Sequence, residues 1–147
     1  MSAVFAGTFF YLALLNDRDP AHARALAESQ PPRTVVTSEF IILELGNACA
    51  RAEDHADFLA LVAGLRASPR IQIVPLDSQL VSRGMELMAN RPDKDWSLTD
   101  CVSFVIMREA GLQEAPHLRP ALRAGGIPGA AGLSSPERGR VAGSSSC

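Results

Sequence analysis

Asp93-Lys94-Asp95-Trp96-Ser97-Leu98-Thr99-Asp100-Cys101-Val102-Ser103-Phe104 is the stretch on which the reading of the chain turns. Polar residues run up to the only Trp. Ser97 follows, a good helix N-cap, with an acid three places on. Cys101, Val102, Val105 and Ile106 then repeat at helical spacing, which predicts a helix from about Ser97 with Asp100 in its first turn. An acid in that place either caps the helix or holds a metal ion.

Upstream of this helix, short apolar runs alternate with helical patterns. Ala3 to Ala6 reads as a buried strand ending at Gly7-Thr8. Phe9 to Leu15 is helical, and Asn16 to Pro20 breaks it. Pro20 suits the first position of a second helix through His22, Ala25 and Leu26. Thr34 to Thr37 is a second strand, after which Ser38 caps a central helix through Phe40-Ile41-Ile42-Leu43-Glu44-Leu45. Asp54 opens a helix that places Phe58, Leu61, Val62 and Leu65 on one face. Ile71 to Leu76 is a third strand. Asp77 or Ser78 caps the helix through Leu80 and Met88, and the last helix should stop near Gly111. Alternating strands and helices imply a mostly parallel sheet between helices, a three-layer α/β/α sandwich. Functional residues in such folds gather outside the C-terminal strand ends. Gly7 lies at one of these ends.

Composition narrows the functional classes. The chain has 147 residues and is 47% hydrophobic, enough for one domain with a real core. Residues 1–115 carry 10 Lys and Arg against 15 Asp and Glu, a net −5. A body this acidic argues against a general polyanion-coating protein and leaves room for acids gathered at a metal site. Cys49, Cys101 and Cys147 are odd in number and have no metal-binding spacing, so reduced cytoplasmic thiols are expected rather than disulfides. The apolar run from Ala3 to Leu15 is too short to span a bilayer and no Lys or Arg precedes it, so no membrane association is expected.

Two acids stand in unusual surroundings. Glu44 lies inside an apolar helix, and a buried lone carboxylate costs on the order of several kcal/mol, so it needs a partner. An ion pair with Arg51 or Arg108 would serve. Asp100 could be explained by capping and the helix dipole alone. Mg²⁺ would satisfy both acids at once, because it takes one or two carboxylates and keeps several waters.

The order of these parts resembles the PIN-domain family, of the VapC toxin kind. The features that carry the resemblance are a strand ending in a small polar turn, a helix reading SEFIILELGNA (38–48) and a capped DWSLTDC stretch (95–101). It covers about residues 3–114. It implies an Mg²⁺-dependent ribonuclease, Mn²⁺ being an alternative ion, with RNA as substrate, a cognate antitoxin as partner and homodimer formation. It also implies four acids. Glu44 matches the second and Asp100 the third, as metal-binding and catalytic residues. Glu39 is a rival for the second but stands at the helix entrance, and Asp95 is an outer candidate. The first position departs from the pattern: Val-Phe-x-Asp-Thr is expected, and Val4-Phe5-Ala6-Gly7-Thr8 is present.

The end of the chain departs as well. Residues 116–147 contain no aromatic residue, no Lys and no Asp, and Gly, Pro, Ala and Arg supply 19 of the 32. The expected division is a PIN-like domain at 1–115, with its last strand missing, and a low-complexity or frameshifted tail at 116–147. Shifted by one base, codons permitted by Pro116 to Ala131 can read T-S-D-R-H-F-E-Q-A-G-F-R-A-L-L, which contains the fourth motif. With two of the four acids absent, the nuclease is expected to be impaired. The alternative is a non-catalytic module that binds an antitoxin or a copy of itself. A phosphoacceptor receiver domain would need a strand-borne Asp and a late Lys, and the chain has neither.

Overall fold

The computed structural model of the protein describes residues 3–30 and 33–114. Its elements run β1 (Ala3–Phe5), α1 (Thr8–Leu15), α2 (His22–Glu28), β2 (Thr34–Ser38), α3 (Glu39–Ala48), α4 (His55–Ala67), β3 (Ile71–Val74), α5 (Ser78–Asn90), α6 (Leu98–Ala110) and β4 (Gln113–Glu114). The four strands form one sheet in the order β3-β2-β1-β4, and every pairing is parallel. Val4 lies opposite Val35 on one side and Gln113 on the other, and Val35 lies opposite Ile71.

This strand order places the helices. The steps from β1 to β2 and from β2 to β3 run in one direction across the sheet, and the step from β3 to β4 runs back past β1. Crossovers between parallel strands are right-handed, so α1 to α4 cover one face and α5 and α6 the other. The α/β/α sandwich follows. The reversal of direction falls between β1 and β4, and the crevice of an open parallel sheet lies outside the strand ends at such a point. Gly7 lies two residues beyond the end of β1.

Local chemistry sets the element boundaries. The Ser38 side chain accepts the Ile41 N–H at 3.2 Å and starts α3. Asp77 accepts the Gln79 N–H at 2.7 Å and starts α5. Gly111 closes α6 at φ 64°, the left-handed conformation that glycine adopts without strain. Val74 ends β3 because Pro75 has no N–H to continue the ladder.

β1 stops at Phe5 and β3 at Val74, short of the expected Ala6 and Leu76, and three further details differ from the sequence reading. Pro20 does not begin α2: Asp19 accepts the Ala21 N–H through its side chain at 2.8 Å and the His22 N–H through its carbonyl at 2.9 Å. That turn takes up the first donors, and the helix starts at His22. Asp54 ends a short 3-10 turn (Ala52–Asp54) and makes no side-chain cap for α4. The two-residue strand β4 was not anticipated. It covers the β1 edge at Val4 and Phe5. The expected tail, and the position of the strand expected to be missing, lie outside the described residues.

Phe5, Phe10, Tyr11, Val36, Ile41, Leu45, Val102 and Ile106 form the centre of the core. Cys49 and Cys101 are buried free thiols. Among the described residues no helix is long and apolar enough to cross a membrane.

Candidate active site

Three segments meet at the C-terminal end of β1. The first is the exit of β1 itself. The Ala6 N–H donates to the Val36 carbonyl at 2.9 Å, and the buried Thr37 hydroxyl donates to the Ala6 carbonyl at 3.0 Å. Both bonds hold the chain in place just before Gly7, which is the N-cap of α1. Gly7 has ordinary extended dihedrals, φ −94° and ψ −179°. A Cβ built on it meets nothing within 4 Å. Neither backbone conformation nor crowding demands a glycine there.

The second segment is α3, which carries Glu44 in its second turn. The half-buried carboxylate accepts a hydrogen bond from the Thr8 hydroxyl through Oε2. Burial holds the Glu44 carboxyl above the usual range, the Thr8 bond offsets part of this, and the Asp100 charge raises it further. The ion pair considered for Glu44 does not form with Arg51, which pairs instead with Glu53 at 2.8 Å. No ion pair joins Glu44 to Arg108 either. The half-buried acid therefore has a hydroxyl for a partner and a second acid for a neighbour.

The third segment is the start of α6. The Ser97 side chain accepts the Asp100 N–H at 3.1 Å, and Asp100 Oδ2 accepts the Ser97 N–H at 2.9 Å. This reciprocal capping box anchors one oxygen of Asp100 and leaves Oδ1 without a protein donor. Capping and ligation are thus compatible, because the box uses only half of the carboxylate.

Glu44 and Asp100 are thereby brought together from 56 residues apart in sequence, each with one oxygen committed and one open. Glu39 is half-buried in the first turn of α3, where the helix dipole accounts for it, and Asp95 is exposed in the loop before α6. Thr8, the residue that orients Glu44, was missed in the sequence. Its signal was its place at the start of α1, just past the β1 end.

The donor set suits a small hard cation. Mg²⁺ is content with one or two carboxylates plus waters, and a cation beside Glu44 would offset the Asp100 charge that pushes the Glu44 carboxyl up. The set is also minimal: among the described residues no group of three His, Cys, Asp or Glu side chains could hold a metal ion. Two carboxylates are few ligands for a resident ion.

Comparison with known proteins bears on the family and the fold. The sequence profile of the PIN domain matches residues 7–117. The 23S rRNA-specific endonuclease VapC20 of Mycobacterium tuberculosis, from strains CDC 1551 and H37Rv, is 30% identical over 114 residues, covering 76% of this chain and 86% of its own. The crystal structure of M. tuberculosis VapC20, described as a sarcin–ricin loop cleaving toxin, superposes with a TM-score of 0.65 at 29% identity. It covers 75% of this chain and 85% of that one. With a profile match over most of its length and a shared fold, the chain belongs to the PIN-domain family, among the relatives of the VapC-like ribonuclease toxins.

Proposed function

We propose that this protein is a divalent-metal-dependent endoribonuclease of the VapC toxin type whose metal site is weakened. The observation that carries this reading is the pairing of Glu44 and Asp100 at the switch point of the sheet, each with a free oxygen. Mg²⁺, or Mn²⁺ in its place, would be held by these two carboxylates. When bound, the ion supplies an activated water and stabilises charge on the phosphate oxygens. The chain's own residues do the positioning. Thr8 fixes the Glu44 carboxylate from the β1 side, and the Ser97 box fixes Asp100 from the α6 side. RNA is the substrate class, by analogy with the relatives that cut 23S rRNA, and the cytoplasm is where such a substrate lies.

Gly7 is the reason for calling the site weakened. It leaves no side chain beside Thr8, where the family pattern expects an Asp, and a site short of ligands binds its metal less well. The same observation favours a second reading, a non-catalytic module that engages a cognate antitoxin or a second copy of the chain. The domain boundary at about residue 115 and a frameshifted end remain part of the proposal. DNA sequence around that codon tests them, and they fail if no one-base shift yields the Asp and Phe of the fourth motif.

Cleavage of a labelled RNA containing the sarcin–ricin loop, in Mg²⁺ or Mn²⁺, separates the readings. Slow, metal-dependent cutting that is lost in Asp100→Asn supports the nuclease. Antitoxin capture with no cutting at any metal concentration supports the binding module.

A further inference from the structure

The loop between α5 and α6 holds a stack of side chains that the acid pair does not use. Arg91 caps the C-terminal end of α5, and its guanidinium lies over the Trp96 ring, 5.2 Å from the centroid. Trp96 in turn packs on Phe104, with ring centroids 4.7 Å apart and a tilt of 57°. Two links place this stack beside the candidate site. Phe104 follows Asp100 by four residues, so the two share a face of α6. Trp96 is bonded directly to Ser97, whose N–H donates to Asp100 Oδ2.

The charge on Arg91 is only loosely committed. Nε and Nη2 donate to the two Asp93 oxygens at 2.9 and 3.0 Å, a planar fork of the kind that also fits phosphate. Both side chains are open to water, 42% and 59% exposed. An exposed ion pair exchanges for a competing anion at little cost. Stacking on an aromatic face, by contrast, holds a guanidinium in place without neutralising it. A polyanionic substrate approaching two carboxylates on an acidic body needs a local cation, and this one is linked to Asp100 through Trp96 and Phe104.

We propose that Arg91, carried on Trp96, is an RNA-binding residue that receives a backbone phosphate beside Glu44 and Asp100, exchanging Asp93 for that phosphate. The inference rests on the nuclease reading above and adds a substrate contact to the same site.

Fluorescence anisotropy with a short labelled RNA in EDTA, at several salt concentrations, tests it without cutting the probe. Trp96 is the chain's only Trp, so its emission reports on the same contact. Arg91→Gln should weaken binding about tenfold and lower the slope of log affinity against log salt by about one. Asp93→Asn should tighten binding, and that gain should vanish in the Arg91→Gln background. RNA should alter the Trp96 emission of the parent. If the Arg91–Asp93 pair only braces the loop, both substitutions act alike and weaken binding. That result overturns the inference, as does an Arg91→Gln variant that binds RNA like the parent, while metal-dependent cutting by the parent leaves the nuclease reading standing. A parent that neither binds nor cuts RNA overturns both. Arg91 is exposed, so its variants should melt with the parent, and a melting curve confirms that they are folded.

Discussion

Replacing Gly7 by Asp puts a third carboxylate at the mouth of the acid pair, and the structure allows the cost to be worked out. A Cβ at position 7 meets nothing within 4 Å, and φ −94° with ψ −179° is open to any residue, so the substitution brings no steric penalty. Asp is better than Gly as the N-cap of α1 by a few tenths, about 0.3 kcal/mol. Against this stands repulsion from Glu44 and Asp100, on the order of 1 kcal/mol each for like charges a few Å apart at a wet site. Without metal, Gly7→Asp should therefore be less stable than the parent by about 1–2 kcal/mol. With metal the sign reverses. An ion at about a hundredfold over its Kd adds about 2.7 kcal/mol, roughly 10 °C in Tm for a domain of this size. Thermal melts in EDTA and in a Mg²⁺ series measure both halves, with Gly7→Asn as a control of similar shape that caps but carries no charge. The reasoning predicts a Mg²⁺-dependent rise for Gly7→Asp well beyond that of the parent or of Gly7→Asn. Equal shifts in all three proteins would refute it.

Other substitutions test the supporting structure. A Cβ at Gly84 would stand 2.6 Å from Val102 Cγ2 and 3.3 Å from the Val102 amide nitrogen, so α5 approaches α6 closely there. Gly84→Ala should lose about 1–2 kcal/mol in urea unfolding, the crowding outweighing the helix-propensity gain. Ser97→Ala removes the hydroxyl that accepts the Asp100 N–H and should cost about 1 kcal/mol, while divalent-ion affinity should change little because Asp100 Oδ2 keeps its bond to the backbone N–H of residue 97. Glu44 tests the electrostatics. Because burial raises its pKa in the folded state, its contribution to stability is fully present below the ordinary Glu value and is lost as pH rises through the raised one. In EDTA, the stability of Glu44→Gln relative to the parent should therefore improve as pH rises through that window and then level off. Parallel profiles at all pH values would contradict the assigned cause.

Much of this architecture was legible because it is written in local chemistry. Ser38, Asp77, Ser97 and Gly111 mark helix ends through bonds to residues a few places away, and such signals survive in a bare sequence. Pro20 misled because the Asp19 side chain and carbonyl offered the backbone another partner one residue earlier. The site was half legible. Glu44 stood out as an acid in an apolar helix, and Asp100 as an acid in a capped first turn. The Thr8–Glu44 bond spans 36 residues, and no local pattern announces it. The same holds for Gly84 against Val102, for β4 against β1, and for Arg91 over Trp96. Each of these depends on how the crossovers return the chain. The open space at Gly7 could not be known either, since a glycine in sequence is equally consistent with a crowded position.

The central claim is that Glu44 and Asp100 together hold one divalent cation. Titration of the metal-free protein with Mn²⁺, followed by calorimetry or by loss of the free-ion paramagnetic resonance signal, tests it most directly. The account predicts weak binding of a single ion by the parent, abolished in Glu44→Gln and in Asp100→Asn. Binding that is the same in the parent and both variants, or no binding by the parent at any concentration, would contradict it.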